Sequence, residues 1–131
     1  MKATNSMSNA PGRLLRQFSD EIIELAERVV LSTAIVKGQT QDFKEGSGSA
    51  FLYDVEHLVT NNHVVHELVE PIHVQLPGEP LTEARVIGRD PLTDLAVLRV
   101  DPQSARPLAV SPTGARLGEL CFAFGSPLGE F

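Results

Sequence analysis

The sequence predicts an all-β protein, an antiparallel barrel or sandwich, with one short helix near its N-terminus. Short β-branched and aliphatic runs alternate with turn signals, and ten glycines and nine prolines are scattered without a repeat. Helical segments between these runs are absent, which disfavours a parallel α/β fold. With 131 residues, the chain is long enough for one domain with its own core.

The N-terminal region is predicted to hold a disordered segment and then a helix. Residues 1–17 are small and polar with a Pro-Gly break, and we expect them to be unstructured. Ser19 is a good N-cap for a helix running to Arg28, and the acidic first turn complements the helix dipole. Apolar residues at helical spacing are expected to dock on the main body: Ile22, Leu25, Ala26 and Val29.

The rest of the chain follows the pattern of strands joined by turns. A Gly-Ser turn at 46–49 is expected to lead into a hairpin whose turn is 54–56, and prolines, among them Pro71, separate the later strands. The predicted barrel with its helix occupies 18–124, and 125–131 is predicted to be a crossover segment. The predicted strands are 30–36, 50–53, 57–60, 72–76, 84–88, 94–100 and 119–124.

Charge and composition restrict the class of partner. The formal net charge is −6, which argues against nucleic acid because phosphate binding needs clustered Lys and Arg. The first twenty residues hold no apolar stretch long enough for a signal peptide or a membrane span. We therefore predict no membrane segment and no export signal, and the compartment stays unknown. Cys121 is the only cysteine, and its apolar surroundings predict a buried, inert thiol without a disulfide.

His63 and Asp94 are the candidate catalytic residues. His63 follows an apolar strand, and its imidazole can act as a general base if a carboxylate holds its other ring nitrogen. Asp94 opens a second apolar strand, where its carboxylate should be partly desolvated and in need of a hydrogen-bond donor. The alternative is an ordinary surface histidine and an aspartate that caps a turn. Because the two motifs occur together in the order His then Asp, the pattern favours the catalytic interpretation.

Four blocks of sequence, at 46–51, 58–65, 88–98 and 125–129, resemble the HtrA/Deg branch of the trypsin-like serine proteases. The resemblance implies a chymotrypsin-like double barrel, of which this chain would form the first, six-stranded Greek-key half. It implies that His63 is the base, that Asp94 orients it, and that no cofactor is needed. It further implies unfolded or misfolded proteins as substrates and, in the complete proteins, a homotrimer. The family is often periplasmic or extracytoplasmic.

The sequence departs from that family in lacking a nucleophile. The Gly-Asn-Ser-Gly-Gly-type loop, which would also form the oxyanion hole, does not occur among the 131 residues, and neither does a PDZ domain. We therefore expect a fragment, an interrupted reading frame or an expressed half, inactive alone. Ser47 and Ser49 are not expected to substitute, because a nucleophile elbow needs a strand-to-helix turn and the order Ser, Asp, His. Ser126 is interpreted as a turn residue.

Two alternatives stay open. The first is a single-barrel peptide-binding module or pseudo-protease, which would leave no apolar face uncovered, whereas half of a protease would expose one. The second is a metal site at His63, His66 and His73, but their spacing matches no common zinc motif, so we predict no metal. His57, His66 and His73 are then surface or strand-edge residues.

Overall fold

The computed structural model describes residues 11–126, which form two helices and six strands. In chain order these are α1 (Arg13–Val30), β1 (Thr33–Thr40), β2 (Glu45–Asp54), β3 (His57–Thr60), α2 (Asn62–His66), β4 (Leu68–Gln75), β5 (Thr82–Asp90) and β6 (Leu95–Arg99).

The six strands close into an antiparallel barrel in the order β1-β2-β3-β6-β5-β4. β1 to β3 form one meander and β4 to β6 form another, and the pairs β3–β6 and β1–β4 join them. The predicted six-stranded Greek-key barrel is confirmed, and the sandwich alternative is wrong. The turn at 54–56 also joins β2 and β3 as predicted, with Leu52 opposite Leu58.

The core lies inside the barrel and follows from the alternation of side chains along each strand. In β3 the buried residues are Leu58 and Thr60, and in β6 they are Ala96 and Leu98. Leu58 and Leu98 are paired across the two strands, and both are fully buried. Burying one such side chain stabilises a fold by roughly 1.5–3 kcal/mol, so this pair fixes β3 firmly against β6. The candidate catalytic residues lie next to these strands: His63 is in α2, which follows β3, and Asp94 directly precedes β6.

The N-terminal helix is longer than predicted. It begins at Arg13 after Gly12, whose φ of 81° lies in the left-handed region, so residues 13–17 are helical and not disordered. Leu14 and Phe18 extend the apolar helical spacing upstream of the predicted N-cap, which explains the earlier start. No residue of α1 is buried, and the four residues expected to dock are only half-buried. Residues 1–10 lie outside the described residues.

Several boundaries also differ from the predictions. Val30 still belongs to α1, so β1 starts only at Thr33, and Asp94 lies in the turn before β6. Residues 46–49 are not a turn but part of β2, because the β1–β2 hairpin turns at 41–44 instead. Pro71 lies inside β4, near a register shift in the β1–β4 pairing, where a missing N–H is tolerated.

The predicted strand at 119–124 is wrong, because these residues adopt no regular structure. A closed barrel has no free strand edge, so an additional strand has nothing to pair with. Leu120 and Phe122 are exposed, and so is Cys121, which corrects the prediction of a buried thiol. Of the predicted crossover, only Gly125 and Ser126 are described, and both are irregular; residues 127–131 lie outside the described part.

Within residues 11–126, no helix has the length and apolar character needed to span a membrane.

Candidate active site

A five-residue helix, which sequence reasoning missed, presents His63 at the rim of the barrel. β3 ends at Thr60, Asn61 is extended with φ −90° and ψ 144°, and α2 follows directly. Val65 of α2 is buried. Val64 lies so close to Gly48 of β2 that a Cβ at position 48 would approach its Cγ1 to 2.5 Å. α2 is thus anchored by its two valines, and His63 points outward.

Asp94 lies in the turn between β5 and β6, in a conformation unusual for a residue with a Cβ. Its φ is 57°, in the left-handed region that Asp and Asn tolerate better than other side chains. The carboxylate of Asp90 shapes the preceding residues, since it accepts hydrogen bonds from the Thr93 hydroxyl at 2.8 Å and the Leu92 N–H at 3.0 Å. The hydrogen bond from the Thr93 hydroxyl is the largest cause that lowers the pKa of Asp90, and the bond from the Leu92 N–H is the next. Asp94 therefore lies in a turn that is stabilised by hydrogen bonds among its own residues.

The structure brings His63 and Asp94 together. His63 Nδ1 lies 2.6 Å from Asp94 Oδ2, and the His63 main-chain N–H donates to Asp94 Oδ1 over 2.8 Å. Two further donors reach the Asp94 main-chain carbonyl: the Asn62 N–H at 3.1 Å and Asn61 Nδ2 at 3.0 Å. The start of α2 and the β5–β6 turn are thus joined through both the side chain and the main chain of Asp94.

The electrostatics of the pair favour an ionised aspartate. The hydrogen bond from the His63 ring is the largest cause that lowers the pKa of Asp94, followed by that from the His63 main-chain N–H. Desolvation opposes this shift. The expected desolvation is modest, because 44% of the Asp94 side chain is exposed. An ionised carboxylate can only accept a hydrogen bond, so Nδ1 must be the donor. This assigns the His63 tautomer with its proton on Nδ1.

The other ring nitrogen of His63 is available for chemistry. Within residues 11–126 its Nε2 makes no hydrogen bond, and 72% of the side chain is exposed. With Nδ1–H held by a carboxylate, Nε2 carries the lone pair that accepts a proton from a hydroxyl group. The arrangement can therefore act as a general base.

None of the candidate serines is hydrogen-bonded to His63 in the described part of the chain. Ser47 and Ser49 lie in β2, and the Ser49 hydroxyl instead accepts a hydrogen bond from the Ser126 N–H over 2.7 Å. Gly125 is close to the same hydroxyl, since a Cβ there would lie 2.8 Å from it. Ser49 and Ser126 thus secure the end of the described chain against β2.

The remaining histidines have other surroundings. His57 Nδ1 lies 2.8 Å from Asp54 Oδ1 across the β2–β3 turn, and His66 Nδ1 lies 3.4 Å from the Arg89 guanidinium. His57 and His73 lie in strands that are paired on both sides, so neither is at a strand edge. Across residues 11–126, no three His, Cys, Asp or Glu side chains come together as a metal site requires.

The closed six-stranded barrel is consistent with half of a chymotrypsin-like double barrel. The family model described as the trypsin-like peptidase domain matches residues 48–131, and the chain belongs to this family. The matched residues include both His63 and Asp94.

Comparison with individual proteins confirms the HtrA/Deg branch. The chain is 31% identical over 121 residues to the chloroplastic Protease Do-like 1 of Arabidopsis thaliana, covering 89% of this chain and 27% of the relative. It is 35% identical over 95 residues to the periplasmic serine endoprotease DegP of Escherichia coli K12, covering 70% and 20%.

The fold comparison agrees. The crystal structure of the serine endoprotease from Yersinia pestis superposes with a TM-score of 0.61 at 26% identity, covering 68% of this chain and 32% of that one. The chain thus spans between about a fifth and a third of the length of these proteins.

Proposed function

We propose that this chain supplies the general base and its orienting carboxylate to a serine endopeptidase of the HtrA/Deg type. The observation that carries the proposal is the contact of 2.6 Å between His63 Nδ1 and Asp94 Oδ2, which leaves Nε2 directed away from the aspartate. Membership of the trypsin-like peptidase family supports the assignment of both roles.

The reaction follows from this geometry. Nε2 of His63 takes the proton of a serine hydroxyl while the serine oxygen attacks the carbonyl carbon of the scissile peptide bond. The imidazolium then gives that proton to the leaving amine as the C–N bond breaks, which leaves an acyl-enzyme for water to hydrolyse by the same proton transfers. Asp94 remains ionised throughout, holds the Nδ1–H tautomer and stabilises the imidazolium.

The proposal requires a nucleophile from outside this sequence. No Gly-x-Ser-Gly-Gly sequence occurs among the 131 residues, and none of the described serines is hydrogen-bonded to His63. We infer that the serine and the oxyanion donors belong to polypeptide beyond these residues. The chain by itself is then expected to hydrolyse no peptide bonds, because oxyanion stabilisation is usually the largest single contribution to such catalysis.

The exposed apolar residues after the barrel support this proposal over a self-contained binding module. Leu117 is fully exposed and Leu120 is 66% exposed, and Phe122 also faces solvent. Such a surface is expected for a barrel that meets a second one, whereas a complete module should cover it. By resemblance, the substrates would be unfolded or misfolded proteins and the assembled enzyme a homotrimer.

Fusion to the missing half tests the proposal directly. The 131-residue chain is joined at its C-terminus to the second barrel of the E. coli relative, and cleavage of unfolded casein is measured. We expect cleavage by the fusion, none by either half alone, and none by fusions carrying His63→Ala. A fluorophosphonate probe, which labels an activated serine, reports the same dependence on His63. A folded fusion that is equally active with His63→Ala would rule the proposal out.

A further inference from the structure

The main-chain carbonyl of Asp94 is held by a side chain as well as by the main chain. Asn61 Nδ2 donates to this oxygen over 3.0 Å, across a separation of 33 residues, and the Asn62 N–H donates over 3.1 Å. These bonds join the entry to α2 with the β5–β6 turn. They act on the backbone of the aspartate, whereas the His63 contacts act on its carboxylate.

The Asn61 side chain is not used in the way that its position would suggest. Asn61 is the N-cap of α2, where an asparagine side chain usually accepts a hydrogen bond from the helix N-terminus. Here it makes no capping bond, and its amide instead reaches Asp94. The side chain therefore has a partner in the site and none in the helix that it begins.

Asp94 is the residue of the pair whose backbone most needs support. Its φ of 57° is a conformation that residues with a Cβ adopt at a cost, so it persists only where neighbouring groups enforce it. Asp90 orders Leu92 and Thr93 but makes no bond to Asp94 itself. Without the Asn61 bond, the Asp94 carbonyl is held by the Asn62 N–H alone, so its peptide plane can turn about that one bond and move the carboxylate away from Nδ1.

We propose that Asn61 is a positioning residue, whose amide clamps the Asp94 carbonyl so that the aspartate carboxylate stays aligned with the His63 ring. The catalytic meaning of this clamp rests on the proposed function, but its geometry can be tested on the chain alone. Asn61 touches no reacting atom in this scheme and acts only through Asp94.

Asn61→Ser is the discriminating variant. Serine is as good an N-cap as asparagine, so α2 keeps its start, but the hydroxyl is too short to reach the Asp94 carbonyl. On the 131-residue chain, we expect the variant to lose the strongly deshielded Nδ1–H proton of His63 in NMR spectra. We also expect the pKa of the Asp94 carboxyl to rise toward its ordinary value of 3.8, while the urea unfolding midpoint at neutral pH falls only by the small amount that this pKa change causes through linkage.

Gln103→Ala is the matched control. Gln103 Nε2 also donates from a side-chain amide to a main-chain carbonyl, that of Asp101 at 2.8 Å, but far along the chain from His63. Its removal should leave the His63 proton and the Asp94 pKa as in the wild type.

Each outcome decides the question. If Asn61→Ser keeps both signals, Asn61 does not position Asp94, whatever happens to stability. If Asn61→Ser lowers the urea midpoint further than the pKa change accounts for, Asn61→Gln, which restores an amide donor, must bring back the Nδ1–H signal, and a failed rescue overturns the inference. If the wild-type chain lacks the signal, the proposed function and this inference both fail, whereas a signal present in the wild type and equally in Asn61→Ser overturns the clamp alone.

Discussion

The barrel carries two histidine–aspartate pairs with similar distances between the ring nitrogen and the carboxylate but with very different construction. His57 Nδ1 lies 2.8 Å from Asp54 Oδ1, and His63 Nδ1 lies 2.6 Å from Asp94 Oδ2. The first pair is three residues apart on one hairpin, while the second is 31 residues apart and joins α2 to the β5–β6 turn. In the first pair 31% of the histidine side chain is exposed, against 72% in the second.

The two aspartate carboxylates differ in the hydrogen bond that lowers their pKa most. The largest cause that lowers the pKa of Asp54 is the hydrogen bond from the Glu56 N–H, with His57 contributing less. For Asp94 the largest cause is the hydrogen bond from the His63 side chain. The Asp54 carboxylate thus mainly shapes a turn, whereas the Asp94 carboxylate mainly orients an imidazole. A short contact between histidine and aspartate is therefore not by itself a sign of catalysis.

The largest expected contrast between the pairs is in activity. In the fusion with the second barrel described above, Asp94→Asn should lower kcat about 10⁴-fold, because an amide holds the wrong tautomer of the base. Asp54→Asn should leave kcat unchanged, since His57 takes no part in the reaction. Initial rates of casein or peptide cleavage at neutral pH measure both. Equal losses in the two variants would remove the distinction between the pairs.

The sequence predicts the pairing of His63 with Asp94 better than it predicts the structure that positions these two residues. The order of His63 and Asp94, each beside an apolar strand, is enough to bring them to one rim once the strands close into a barrel. α2 could not be predicted, because five residues are too few to show helical periodicity. The clamp by Asn61 could not be predicted either, since its partner is distant in sequence, although a pair of asparagines directly before the histidine was a visible signal.

The same limit explains the error at 119–124. Apolar character there predicts that the segment will be covered, but not by which part of the polypeptide. Only topology shows that every strand of the barrel already has two neighbours. Local pattern therefore predicts most of the strands, and it fails at 119–124 because it does not show that every strand of the barrel already has its neighbours.

The second prediction concerns the packing that holds the long-range pair. Gly48→Ala would place a Cβ 2.5 Å from Val64 Cγ1, and valine is too stiff at χ1 to move aside easily. We expect the free energy of unfolding to fall by about 1–3 kcal/mol, as for other overpacked sites. Because α2 must shift, the Nδ1–H signal of His63 should weaken, while the His57–Asp54 pair stays intact.

Gly88→Ala provides the control, because a Cβ at Gly88 meets no atom within 4 Å. Urea unfolding of both variants measures the difference in stability, and NMR spectra of the two histidine rings report where it acts. A Gly48→Ala chain as stable as Gly88→Ala, with an unchanged His63 signal, would show that α2 is not seated as tightly as the contact indicates.

The third prediction replaces each histidine by alanine and follows the pKa of its partner carboxylate. His63→Ala removes the largest cause that lowers the pKa of Asp94, so this pKa should rise toward 3.8. His57→Ala removes only a lesser cause, so the pKa of Asp54 should remain lowered by the Glu56 N–H. Titration of the side-chain carboxyl carbons by NMR measures both values. If the two pKa values respond alike, then the turn does not dominate at Asp54.

The smallest expected effect is on stability at low pH, and its sign follows from the direction of the shift. A carboxyl group whose pKa is lowered on folding stabilises the folded state above its unfolded value of 3.8, and this contribution is lost as the pH falls through the lowered folded value. Removal of the carboxylate by Asp94→Asn should therefore flatten the fall of unfolding free energy as the pH drops below about 4. His63→Ala should flatten it nearly as much and His57→Ala much less, because only the long-range aspartate depends chiefly on its histidine. Urea unfolding at a series of pH values, run on these three variants beside the wild type, ranks them, and a ranking that places His57→Ala above His63→Ala would reverse the roles assigned to the two pairs.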